Sequence, residues 1–207
     1  MYIVNTKTRI LCRLITQDTV EEVLSALQPF AVHPSADVVV MIIKTLLVIC
    51  QKSPASARLC LRVCVQLLEV RLMDSTIAHT CLMAMDRLLN VLDEAARKEA
   101  LVWTMKLIAV GEQRAVYDGL LRLLLHHCEL VVAQAEEVCR LLLKDYANST
   151  KNARLVLLLL LVKLHSVDKE NATVEKMLQY AYTLNSRDLD VDVRVQARNI
   201  HAVWNDD

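Results

Sequence analysis

The 207 residues are 55% hydrophobic and 23% charged, with two glycines and three prolines. That composition excludes a disordered, collagen-like or low-complexity chain, and so few turn formers argue against an all-β fold, which needs a turn every ~8–12 residues. Lysine plus arginine and aspartate plus glutamate number 24 each, so the chain has no basic excess of the kind a nucleic-acid binder carries.

Almost every segment places apolar residues at helical spacing between short polar breaks. A first helix is expected from Tyr2 to Ile15. Asp18-Thr19-Val20-Glu21 reads as a capping box opening a second helix, which Pro29 should bend or end. After the His33-Pro34-Ser35 break, Ala36 to Gln51 form a nearly all-apolar helix. Pro54 sits in the first turn of the next, which runs to about Met73. Ser75 is the expected cap of a helix to Leu92, and Asp93 of another ending near Gly111. Helices from Gln113 to His127 and from Leu130 to Tyr146 follow. Ser149 or Thr150 caps a leucine-rich helix to His165, and the last two cover Ala172 to Leu184 and Asp190 to Val203.

These are about eleven helices of ~12–18 residues with short links, so successive helices should lie antiparallel. Pairs recur every ~35–45 residues, the length of a HEAT or armadillo unit. Stacked units cover each other's apolar faces on both sides, which accounts for helices greasier than one surface requires. The expected fold is all-α, a right-handed α-solenoid of HEAT/armadillo-like helical pairs, in a single segment 1–207 without an internal domain boundary. A closed helical bundle is the alternative, poorly matched by so many short helices.

The seven cysteines are Cys12, Cys50, Cys60, Cys64, Cys81, Cys128 and Cys139, an odd number set among Leu and Val. They read as reduced, buried hydrophobes, favouring the cytosol. Lys7 and Arg9 near the N-terminus are followed by no apolar core of signal-peptide length. The greasiest run, Leu155 to Val162, is closed by Arg154 and Lys163, well short of the ~20 residues that span a bilayer. Asn148-Ser149-Thr150 and Asn171-Ala172-Thr173 match the glycosylation pattern, which has no meaning in a cytosolic chain.

Chemistry finds little foothold. Cys60 and Cys64 share a helix face, and His79 with Cys81 could complete four metal ligands, but zinc sites favour paired short spacings on loops. Core packing is the preferred reading, and no metal or cofactor is expected. The side chains of His126-His127-Cys128 fan out around one helix. Gly111 and Gly119 alone cannot build a phosphate loop or a nucleophile elbow. Glu136-Glu137 reads as a solvated face, and nothing orders a catalytic triad, so no catalytic residue is assigned and no enzyme is expected. Arg58 and Arg62, with Arg71 further along, could meet an acidic partner or a lipid head group; a solvated face explains them equally well. Asp190 and Arg194 have the spacing of a helix ion pair, and Asp192 and Arg194 could bridge to the adjacent repeat. Trp103 and Trp204 are the only tryptophans, and Trp204, if exposed, calls for a cover in the intact molecule.

At Lys7-Thr8-Arg9-Ile10-Leu11, at Asn152 to Leu164 and at Leu189 to Arg198 the chain resembles beta-adaptin, the beta-type large subunit of the heterotetrameric vesicle adaptor complexes. The order and spacing of these landmarks match the family over nearly the whole chain, and the AP-3-like class is the nearest in pattern. The chain departs from the family where Leu189 and Val191 replace tyrosines and Gln196 an arginine. The resemblance implies the C-terminal part of a beta trunk, without hinge or appendage. It implies a non-catalytic scaffold that cradles the medium subunit's longin-like domain and meets the second large subunit. It also implies coat assembly and cargo sorting, with the protein cytoplasmic and peripheral on Golgi or endosomal membranes. No nucleic acid, small-molecule substrate or cargo-motif residue is expected. The alternatives are a HEAT-repeat nuclear transport receptor, which zero net charge disfavours, and a metal protein using the cysteine-rich region. A solenoid cut from a longer trunk exposes apolar repeat ends. Light scattering of the isolated chain should therefore give a mass above the monomer at high concentration; a monomeric mass would count against a cut solenoid.

Overall fold

The computed structural model describes residues 6–8, 10, 11, 13, 15, 16, 18–72, 74–110 and 114–205, so Cys12, Met73 and Gly111 lie outside it. Residues 6–8, 10, 11 and 13 are helical, within the expected first helix. Ten bounded helices follow: α1 (Val20–Ala31), α2 (Ala36–Lys52), α3 (Ala57–Arg71), α4 (Ser75–Leu89), α5 (Glu94–Val110), α6 (Arg114–His127), α7 (Val132–Lys144), α8 (Lys151–Val167), α9 (Ala172–Ser186) and α10 (Val191–Asn205). Among the described residues there is no strand.

Local chemistry sets most boundaries, and several differ from expectation. The capping box at Asp18 and Glu21 does not form. Thr19 takes the N-cap position without a capping bond, and its hydroxyl accepts the Thr16 N–H instead. Glu21 is then only the second helical residue, too early to reach back. Pro29 lies inside α1, which ends two residues later at Ala31. The cap of α4 is Asp74, not Ser75: its carboxylate accepts the N–H groups of Thr76 and Ile77, and a carboxylate also suits the positive end of the helix dipole. Of the two candidates for α8, Thr150 is the cap, accepting from Ala153. Asn171 caps α9 through the N–H groups of Thr173 and Val174. Pro54 opens a separate 3-10 turn, Pro54–Ser56, ahead of α3. The expected Leu130–Tyr146 helix is trimmed because Val131 leaves helical geometry (φ −141°, ψ 40°).

The chain forms two compact units, Met1–Glu99 and Ala100–Asp207. In the first, α2 packs against α1, α3 and α4. It buries Val39, Ile42, Ile43, Leu46 and Ile49 completely, and Ile77 and Met85 on α4 are equally buried. The α2–α4 contact is broad while α1 meets α3 only lightly, which leaves a groove between α1 and α3.

In the second unit α8 is enclosed by α6, α7, α9 and α10. That enclosure is why nearly its whole circumference is apolar: Leu157, Leu158, Leu160, Leu161 and Leu164 are all at most 1% exposed. Each such leucine contributes about 1.5–3 kcal/mol by leaving water.

Leu159 and Leu160 are neighbours with opposite fates, 39% and 0% exposed. Leu160→Ala should cost about 3 kcal/mol and Leu159→Ala less than about 1 kcal/mol, read as urea midpoints. Equal losses would mean that α8 is not enclosed in the way described.

Candidate functional site

Polar ties between helical pairs have one recurring property. They join residues 30 to 42 positions apart, about one repeat. The most elaborate joins α8 to the link before α10. Arg154 stands in the first turn of α8, at the edge of its apolar run, where its partly buried charge needs partners. Its guanidinium donates to Asp188 Oδ2 at 2.7 Å, to the carbonyl of Ser149 at 3.1 Å and to that of Ala147 at 3.2 Å. It also lies 5.2 Å from the centre of the Tyr146 ring, a cation–π distance. The Tyr146 hydroxyl donates to the same Asp188 oxygen at 3.3 Å, and Asp188 Oδ1 accepts the Asp190 N–H at 2.9 Å.

The Asp188 side chain is 2% exposed. Burial pushes its carboxyl up, but the Asp190 N–H, the Arg154 guanidinium and the Tyr146 hydroxyl outweigh that and hold it below the ordinary carboxylate range. The Tyr146 hydroxyl moves the other way, raised first by burial and then by the Asp188 carboxylate.

The expected Asp190–Arg194 ion pair gives way to a different arrangement. Arg194 donates to the carbonyls of Asp188 at 2.6 Å and Leu189 at 3.0 Å. Asp190 instead caps α10 through the Asp192 N–H, and Lys151 bridges Asp190 and Asp192 at 3.1 and 2.6 Å. The cross-repeat bridge from Asp192 thus exists, with a lysine of α8 as its partner. Along Leu189–Arg198 the apolar residues divide: Val193 and Ala197 are fully buried, while Leu189 is 98% exposed and Val191 and Val195 are exposed beside it.

The remaining candidates are dispersed. Arg71 donates to the His33 carbonyl and so ties α3 to the break before α2; Arg58 approaches Glu99 at 3.9 Å; Arg62 stands at the rim of the α1–α3 groove. The three arginines therefore do not form one basic patch. Cys60, Cys64 and Cys81 are buried while His79 is exposed, so the structure does not gather them as four ligands. Burial raises the Cys60 thiol to about 11 and the Cys81 thiol to about 12, leaving neither a nucleophile near neutral pH. Glu136 accepts from Asn171 at 2.7 Å, whereas Glu137 pairs with Arg140; they do not act on each other. His126 is exposed and His127 buried, with rings edge-on at 6.3 Å. Trp204 is half-buried, edge-on to His165 and His201 at 6.0 and 5.3 Å, so part of its cover comes from this chain.

The groove between α1 and α3 was not visible in the sequence. It has a volume of about 400 Å³ and is lined by Glu21, Leu24, Ser25 and Gln28 on α1 and by Leu59, Arg62, Val63 and Gln66 on α3. Each wall is one i, i+3, i+4, i+7 face, and the two walls are the same helix positions one repeat apart, so Gln28 and Gln66 are equivalent. The interval matches the 38 residues that separate His33 from Arg71.

Residues 1–207 match the family described as "Adaptin N terminal region". Among solved structures, the chain is similar to a chain of a "Homology model of the full-length AP-3 complex in an intermediate open conformation". The TM-score is 0.83 at 18% identity, covering 99% of this chain and 37% of that one. At that identity the likeness is one of fold, and the fold is the α-solenoid of HEAT-like helical pairs. The chain thus spans little more than a third of that relative's length. No curated protein matches it. None of its described helices is long and apolar enough to cross a membrane.

Removing Arg154 strands a buried carboxylate. Arg154→Met should cost about 3 kcal/mol, and Arg154→Met/Asp188→Leu less than Arg154→Met alone. Because the folded Asp188 pKa is depressed, its contribution is complete above the unfolded value of ~3.9 and disappears as pH falls through the lower folded value. Asp188→Asn should flatten stability against pH in that window, and an unchanged acid limb would remove Asp188 from the account.

Proposed function

The chain belongs to the adaptin family, and from that premise we propose that it is a non-catalytic scaffold segment of a vesicle adaptor large subunit. We assign it to the beta type, in the C-terminal part of the trunk. Segment 1–207 acts as one scaffold that holds the medium subunit's longin-like domain and meets the second large subunit. Its work is coat assembly and cargo sorting on the cytoplasmic side of Golgi or endosomal membranes, to which it is bound peripherally through the complex.

The observation that carries this reading is the family match over the full length. The likeness to a chain of an AP-3 complex supports the AP-3-like class. The beta type and the trunk position rest on the three landmarks at 7–11, 152–164 and 189–198. Arg154 and Asp188 stand in or beside the last two and are bonded to each other. Partner surfaces, not reactive groups, are a scaffold's chemistry, and the raised, buried thiols of Cys60 and Cys81 fit that role.

Purification of the tagged, native protein from its own cells should recover a second adaptin with one medium and one small subunit in equal amounts, identified by mass spectrometry. Recovery of a small GTPase with nuclear cargo instead, or of nothing, overturns the proposal and leaves the family and fold.

A further inference from the structure

We propose that the α1–α3 groove is a docking site for a short, extended, bipolar peptide segment of a partner protein, bearing an aliphatic side chain between a basic and an acidic one. The inference goes beyond the assembly reading, because it concerns the chain alone.

The polar lining selects the extended form. A helix satisfies its own backbone, whereas an extended segment arrives with free N–H and C=O groups. Gln28 and Gln66 offer them an amide each, a donor and an acceptor at equivalent positions on the two walls. Floor and charge select the side chains. Leu24 and Val63 provide the apolar surface, while Glu21 and Arg62 put opposite charges on opposite walls. Among the described residues, the side chains of Glu21, Gln28, Arg62 and Gln66 form no hydrogen bond or ion pair, so their bonding capacity is available to a visitor. Charges at a rim set orientation and partner choice more than affinity, so the two ends of the bound segment should be read by sign.

A displayed library of random octapeptides, selected on the full-length chain, tests this. Peptides with an aliphatic residue between a basic and an acidic one should be enriched. Their affinity should fall about tenfold against Arg62→Glu, with far-UV circular dichroism matched to the parent. Gln66→Ala should weaken them without altering the charge preference, and the double variant Glu21→Lys/Arg62→Glu should prefer the same peptides with acid and base exchanged. Enrichment of amphipathic helix-forming peptides, enriched peptides that bind Arg62→Glu unchanged, or no enrichment overturns the proposal. Recovery of adaptor subunits from cells is independent of every one of these outcomes.

Discussion

A helical pair with apolar residues on both sides cannot be stable alone, and within each compact unit of this chain neighbouring helices supply the cover. That constraint determines the placement of polar groups as much as apolar ones. Arg71 reaches the carbonyl of His33, Lys163 that of Leu125, and Asn171 reaches Glu136, each across about one repeat. Apolar burial supplies most of the free energy, but it is non-directional and permits a helix to slide along its neighbour. The ties are directional, and together with side-chain interlocking they select one register.

The link between Tyr146, Arg154 and Asp188 shows the division of labour. A partly buried guanidinium beside the leucine run of α8 is costly by itself and becomes tolerable only because two backbone carbonyls, a carboxylate and an aromatic face meet it. Replaced by apolar residues of similar volume, such a cluster is often neutral for stability. What it adds is position: Asp188, fixed by Arg154, in turn accepts the N–H of Asp190, and Asp190 caps α10. The start of one helix is thereby referred to the first turn of another. Lys163 performs a related task at the opposite polarity, bringing an ammonium group to the carbonyls at the C-terminal end of α6, where a cation is favoured.

Helix existence was legible because apolar periodicity records which face is covered. All the helices bounded here were anticipated, and Asp93, whose carboxylate accepts the Ala96 N–H, was readable as a cap, while Ser149 and Thr150 could not be told apart by residue type. The misreadings are local competitions. Asp74 and Ser75 are both good caps, and only the backbone of Asp74, extended at ψ 102°, settles between them. At Thr19 a hydroxyl that could have capped α1 was taken by Thr16. Asp190 and Arg194 had ideal spacing for each other, yet carbonyls and a lysine from another repeat offered better geometry. The groove was invisible for a further reason: Gln28 and Gln66 are unremarkable surface residues until α1 and α3 are known to splay, and splay depends on how α2 and α4 pack beneath them.

The tie between His33 and Arg71 spans 38 residues, and so does the tie between Leu125 and Lys163. A single-residue insertion inside a helix between such partners would rotate everything beyond it by ~100° and break both the tie and the apolar match. The tolerated ways for this chain to change length over evolution are then narrow. Residues can be gained or lost in links that hold no tie partner, unlike those at His33 and Asp188, or a complete helical pair can be duplicated or deleted, carrying its donors and acceptors with it.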